Sequence, residues 1–231
     1  MAAQDTGWLS TLASDRAAVG RSSTASRVAD VLRTRIIEGL LLPGTRLSEE
    51  EIVEALGVSR NTLREAFRLL GHERLLVHKF NRGVFVRSLT ADDIRDLYRF
   101  RRLLEGAAVR HAATSSPDLA RVRSAVEEGE EAARRGDWSA VGTANMHFHT
   151  ALAAFAGSPR VDEAMQQLLA ELRLVFSVMA DPRTFHEPYL AENRAMHDLL
   201  AAGRYEEAEQ ALATYLDVAE EQLLGAMATR S

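Results

Sequence analysis

Residues 48–70 read SEEEIVEALGVSRNTLREAFRLL, and the punctuation of that stretch decides the fold of the front of the chain. Ser48 followed by Glu51 is a capping box, and the acids of the first turn complement the helix dipole. The helix so opened carries Ile52, Val53 and Leu56 inward and stops at Gly57, which takes a left-handed C-cap without steric cost. Only Val58 intervenes before Ser59, an N-cap for a second helix whose apolar face holds Leu63, Phe67 and Leu70. Two helices joined this tightly form a helix-turn-helix.

Upstream, Val28, Val31, Leu32 and Ile36 make a helical apolar stripe that stops at Gly39, and Leu42-Pro43-Gly44-Thr45 is a turn. Residues 1–24 are polar, rich in Ser, Ala and Thr, and are expected to form a flexible arm. Downstream, two β-rich runs, residues 75–79 and 84–87, flank Phe80-Asn81-Arg82-Gly83 and predict a hairpin. Residues 25–88 are therefore expected to be a winged helix-turn-helix. The second helix of such a pair can lie in the major groove of DNA. Its start holds Ser59, Arg60, Asn61, Thr62 and Arg64. Arg60 and Arg64 share a helix face and can each pair with phosphate or bidentately with guanine, and Asn61 can address adenine. Ser59 and Thr62 can donate to phosphates. In the hairpin, Lys79, Asn81, Arg82 and Gly83 surround a tight turn that can flank a minor groove.

Past Arg87 the strand signal ends. Thr90 with Asp93 is another capping box, opening a helix to about residue 113. Amphipathic stretches follow at roughly 117–134, 137–156, 160–179, 188–202 and 204–228. The fold class expected is mainly α: a winged helix-turn-helix with a small hairpin, then a six-helix bundle over residues 89–231.

Charge is distributed along the same boundary. The 231 residues carry a net −5, but residues 1–88 hold 13 Lys+Arg against 10 Asp+Glu (+3), and residues 89–231 hold 15 against 23 (−8). A basic front on an acidic body places any polyanion contact in the front. The chain has no cysteine, which excludes disulfides, thiolate metal sites and cysteine nucleophiles and suits a reducing compartment. The N-terminus lacks the basic and apolar regions of a secretory leader. The longest uncharged run, 138–159, contains Asn145, His147 and His149 and does not suit a bilayer. A cytoplasmic location, without membrane contact, is expected. None of the seven histidines has a glutamate three residues before it, so the di-iron Glu-x-x-His pairing is absent. Zincin, serine-hydrolase, Walker and Rossmann motifs are absent as well. The expected class is not an enzyme.

The segments LRTRIIEGLLLPGTRLSEEEIVEALGVSRNTLREAFRLL and RGVFV resemble the DNA-binding domain of the GntR family of bacterial transcriptional regulators. The resemblance implies DNA contacts from Ser59, Arg60, Asn61, Thr62 and Arg64, with wing residues near Asn81, Arg82 and Gly83. It departs at Glu73-Arg74-Leu75, where the family usually has a glycine in the middle, and at Gly71 inside the helix. The bundle resembles the FCD effector domain of the FadR subfamily, through Leu97–Glu105, Asn145-Met-His-Phe-His149, Glu192–Gly203 and Tyr215-Leu216. Many such domains hold a divalent metal with one Asp and three His. The aligned residues here are Asn145, His149, Asn193 and Tyr215, a poor donor set for Zn²⁺ or Ni²⁺. No cofactor is therefore expected, with a His149/His197 pair as the weaker, metal-dependent alternative.

The chemistry of the residues at those positions departs from the family and points instead to a hydrogen-bonding pocket of Arg101, Asn145, His149, Asn193, His197 and Tyr215, with Arg101 at the family's arginine position. Arg101 serves there as a carboxylate clamp, and His149 titrates near neutrality. The implied partners are double-stranded operator DNA, a small polar or carboxylate effector and a second copy of the chain. The implied role is that of a repressor. The alternative from a different class is a winged-helix protein adaptor.

Overall fold

The computed structural model describes residues 23–37, 40–115, 117–176 and 181–228. The expected arm lies outside them except for its last two residues, and Thr24 already begins the first helix.

Helix α1 (Thr24–Ile37) buries Val28, Leu32 and Ile36, while Val31 from the same expected stripe is 42% exposed. Strand β1 (Arg46–Leu47) leads into α2 (Glu49–Leu56) and α3 (Arg60–His72). Ser48 Oγ accepts from the Glu51 amide, and Gly57 (φ 62°) ends α2 in the left-handed conformation. Leu56, expected inward, is exposed, because so short a helix lies over the core edge with Ile52 and Val53 only half-buried. On α3 the expected face is buried: Leu63, Ala66, Phe67 and Leu70 pack against α1.

The hairpin of β2 (Leu76–Lys79) and β3 (Gly83–Val86) forms in the register Leu76↔Val86 to Lys79↔Gly83. One strand was not expected. β1 pairs antiparallel with β3 through Arg46↔Phe85 and Leu47↔Val84, giving the order β1-β3-β2. Two residues are too short for any periodicity to announce.

The missing glycine after α3 also finds its explanation. Arg74 itself adopts φ 56°, the conformation a glycine would take. Around it, Leu75 N–H donates to the Leu70 carbonyl at 2.9 Å. Glu73, beside it, receives a two-pronged bond from Arg33 of α1, 2.6 Å on each side, so the helix exit is held by side chains.

The bundle comprises α4 (Ala91–Ser115), α5 (Ala120–Arg134), α6 (Trp138–Ala153) with a 3₁₀ turn at Ala154–Ala156, α7 (Pro159–Phe176), α8 (Pro182–Ala201) and α9 (Tyr205–Ala228). Thr90 and Asp93 exchange both bonds of the capping box, at 2.8 and 3.2 Å. Helix α8 starts six residues before the expected 188. Asp181 caps it, Pro182 occupies the first turn where no amide partner is needed, and Pro188 is carried inside. Tyr98, Phe148, Leu152, Met165, Leu172 and Leu216 centre the bundle core.

The two cores meet on α7. Leu174 is buried among the residues of the N-terminal core, with Ala170 against it. One turn earlier, Glu171, 4% exposed, takes Arg87 at 2.6 Å and Arg74 at 3.6 Å; Arg87 also bonds Asp93 at 2.6 Å. Burial pushes the Glu171 carboxyl up against the opposing pull of Arg87 and Arg74, so its ionised form depends on them. Arg87→Met keeps the stem but strips a buried carboxylate of its near partner. We expect a cost of about 3 kcal/mol and, in calorimetry, a single melting transition that splits in two. An unchanged single transition would show that Arg87 does not bind the cores together.

Candidate functional site

The outer face of α3 and the hairpin form one surface. Arg60 and Asn61 at the start of α3 are exposed. Arg64, one turn on, is also exposed, and its Nε donates to Glu49 at 3.0 Å. Ser59 is engaged as the cap: its Oγ accepts from Thr62 N at 3.1 Å and shares a hydrogen bond with the Thr62 hydroxyl at 2.8 Å. Both hydroxyls are thus satisfied within the chain, which leaves Arg60 and Asn61 as exposed edge-reading groups, with Arg64 beside them in an exposed pair with Glu49.

A groove of about 420 Å³ between α3 and the sheet is lined by Arg64, Arg68, Gly71 and His78. At the hairpin tip Arg82 N–H donates to the Lys79 carbonyl at 3.0 Å, and Asn81 takes φ 55°. Arg82 is exposed, Gly83 is half-buried, and the Lys79 ammonium sits 4.7 Å over the Phe85 ring. Phe80, beside them, is 85% exposed. Arg68 and Phe80 escape a reading of the sequence. Periodicity marks only which residues are buried, and Phe80, read as part of the hairpin turn, carries no charge or polar group to mark it.

Inside the bundle, side chains from four helices make one buried polar cluster. On α4, Arg101 Nε donates to Glu105 Oε1 at 2.8 Å, and the other carboxylate oxygen meets His149 Nδ1 of α6 at 2.7 Å. On the far side, Asn145 Oδ1 accepts both from Asn193 Nδ2 of α8 and from the Tyr215 hydroxyl of α9, each at 2.8 Å. The rings of His149 and Tyr215 join the halves edge-on, 5.1 Å apart. Five of the six predicted pocket residues therefore assemble. The sixth, His197, does not: its Nδ1 turns to Asp198 at 3.0 Å, next to it in the chain. His147 points away and pairs with Glu128, as the roughly 200° between it and His149 requires.

Glu105 is the member that the sequence did not reveal. An acid at the end of a matched segment is unremarkable until folding places it between Arg101 and His149. Burial would raise its carboxyl, but the Arg101 charge and the His149 hydrogen bond bring it below the ordinary value. Burial, and then Arg101, hold His149 below the ordinary histidine value, which corrects the expectation of titration near neutrality. Facing a carboxylate, neutral His149 carries its proton on Nδ1 and leaves the Nε2 lone pair open. Arg101 Nη2, His149 Nε2 and Asn193 Oδ1 are buried without a hydrogen-bond partner.

Two spaces flank the cluster. A void of about 10 Å³, lined by Gly129, Asn145, His186, Tyr189 and Asn193, is about the size of one water. Beyond the Tyr189–Tyr215 ring pair (4.6 Å) lies a groove of about 700 Å³ between α8 and α9. The metal-bearing positions of the resembled domain present one imidazole, two amides and a phenol whose ionisation burial opposes strongly. Asn145 Oδ1 already accepts two bonds. Such a set does not fit a tightly held transition metal. Among the described residues no three His, Asp or Glu side chains converge as metal ligands could.

Comparison with known proteins now identifies the class. Residues 24–86 match the bacterial regulatory proteins of the gntR family, and residues 96–218 match the FCD domain. A crystal structure described as a transcriptional regulator GntR from Rhodococcus sp. RHA1 is 50% identical, covers 89% of this chain and 99% of its own, and superposes with a TM-score of 0.83. The "Probable D-xylose utilization operon transcriptional repressor" of Paenarthrobacter nicotinovorans is 33% identical over 83% of this chain and 85% of its own. The galactonate operon transcriptional repressor of Escherichia coli K12 is 28% identical over 82% and 92%.

The chain belongs to the GntR family, with an FCD effector domain, and is a transcriptional regulator, not an enzyme. No helix among the described residues is long and apolar enough to cross a membrane.

His186 gives the bundle a pH signature. Burial, and then Arg173, lower it from 6.5 to about 4. Between those values the unfolded chain takes up a proton that the folded chain refuses, so stability falls as pH falls. The full difference is about 3 kcal/mol. His186→Asn should remove that share of the loss between pH 7 and pH 4 in urea titrations. An equally steep loss in the variant would place the proton uptake elsewhere.

Proposed function

We propose that the protein is a repressor that binds a palindromic operator as a dimer and is released or retained by a small hydroxylated, anionic metabolite. The observation that carries this reading is the pairing of two features in one chain. Arg60, Asn61 and Arg64 are exposed on a capped helix beside a hairpin, and a bundle joined to them through Glu171 carries a polar cluster with three unpaired buried polar atoms. One such domain makes few base contacts; a two-fold dimer doubles them on a palindrome. Ser59 and Thr62 support the helix start, while Lys79, Asn81, Arg82 and Gly83 place the hairpin on the backbone. Action on operator DNA puts the protein in the cytoplasm, on the nucleoid when bound.

In the pocket, Arg101 Nη2 offers a donor, and His149 Nε2 and Asn193 Oδ1 offer acceptors. A hydroxyl both donates and accepts, so it satisfies such a set where a carboxylate would confront two lone pairs and Glu105. Arg101, Asn145, His149, Asn193 and Tyr215 are the residues assigned to the effector; His197 is not among them.

Arg60→Ala and Arg64→Ala should each weaken operator binding by about 1–3 kcal/mol, with two chains per operator in the bound complex. Lys79→Ala should weaken all sequences alike and reduce the salt slope by about one. Wild-type shifts by both arginine variants would overturn the recognition-helix assignment. Wild-type protein without salt-sensitive, sequence-selective affinity would leave an adaptor as the better reading. Elemental analysis of protein purified without chelator should return far less than one transition metal per chain; about one per chain would mean that His149 anchors a metal site after all.

A further inference from the structure

The bundle buries a second cation that the polar cluster does not use. Arg173 on α7 is 7% exposed, and among the described residues no carboxylate pairs with it. Its donors reach only weak partners: Ser139 through the carbonyl at 3.4 Å and the hydroxyl at 3.3 Å, and Met146 Sδ at 3.9 Å. Beside it His186, 4% exposed, has Nδ1 buried with no partner. Phe176 and Phe185 wall the imidazole at ring distances of 5.2 and 4.9 Å.

Both polar side chains converge over Gly142 of α6. A methyl group there would lie 2.7 Å from His186 Nε2 and 3.2 Å from Arg173 Nη1, so the bare backbone is what admits them. Arg101 presents the opposite case, since Glu105 already matches its charge at 2.8 Å. A buried guanidinium without a counter-charge is costly, and nothing described in the chain supplies that charge.

We propose that Arg173, His186 and Ser139 form an oxyanion subsite, which takes a carboxylate of the effector or a free inorganic oxyanion. A guanidinium fork fits two oxygens of either, and the neutral imidazole and the hydroxyl can each add a donor. His186, Asn145 and Asn193 line one void, so an effector anchored here by its charge would present its hydroxyls to the cluster assigned above; only this last step rests on that assignment. The void has room for about one water, so an anion enters only if the first turns of α8 yield. Pro188 supplies no amide to the Thr184 carbonyl, two residues from His186, so the ladder is interrupted at that place.

The test uses the full chain without DNA. Melting curves and calorimetric titrations are run with sodium phosphate and with sodium acetate, against sodium chloride at matched ionic strength. Wild type should show a saturable rise in melting temperature with at least one of the two anions. Response to acetate assigns the subsite to carboxylates, and response to phosphate alone assigns it to the inorganic anion. Arg173→Met should abolish the response and, in anion-free buffer, melt no lower than wild type, because an unpaired charge has become apolar. Arg173→Lys, which keeps the charge but not the fork, should bind about tenfold more weakly and serves if the methionine variant fails to fold.

Arg101→Met should do the reverse, melting lower because Glu105 loses its partner while the anion response persists. No saturable response in wild type, or a response that survives in both Arg173 variants, overturns the subsite. Neither result bears on operator binding, which is measured separately.

Discussion

Glu171 is the carboxylate on which the two halves of the molecule depend. It is buried at their junction, where its charge is tolerable only because Arg87 and Arg74 reach it from the DNA-binding domain. Arg87 passes the connection on to Asp93, which also closes the capping box at the start of α4. One chain of charge therefore runs from the hairpin, through α7, to the helix that carries Arg101. The apolar contact of Leu174 with the N-terminal core lies one turn away and joins the same two halves.

Helix α7 has opposite duties on its two sides. Glu171 faces the DNA-binding domain, and Arg173, two residues on and roughly 200° around the helix, faces α6 and α8. A close-packed helix moves as a body, so a force on one face is felt at the other. Charge arriving beside Arg173 would thus act on the helix that also carries the Glu171 junction. The polar cluster on the other side of α6 is electrically complete, with Arg101, Glu105 and neutral His149 summing to no net charge. Its open atoms are suited to shape and hydroxyl recognition, while the Arg173 charge is unmatched among the described residues.

The DNA surface has a simpler logic. Ser59 and Thr62 spend their hydroxyls on holding the first turn of α3, and that rigidity presents Arg60 and Asn61 without the entropy cost of ordering a frayed helix end. Glu49 holds Arg64 at 3.0 Å in an exposed pair, worth little by itself, so it orders the guanidinium without trapping it.

Local rules in the sequence determined the helix-turn-helix, the hairpin and the six bundle helices, whereas the candidate pocket residues could be named only through resemblance to a known domain. Caps, left-handed glycines and apolar periods act within a few residues, so Ser48, Gly57, Ser59 and Thr90 could be read where they stand. The start of α8 was misplaced because Pro182 and Pro188 both look like stops, and only packing shows that the first opens the helix and the second is tolerated within it. β1 was invisible because its two residues become a strand only when β3 lies beside them. Arg74 reads as a missing cap until its own backbone is seen to take the glycine's place. The charges show the limit most clearly. Arg101 and Arg173 look alike in the sequence, yet one meets Glu105 and the other meets no acid among the described residues. Whether a buried charge is matched depends on which distant helices are brought together, and tertiary structure alone decides that.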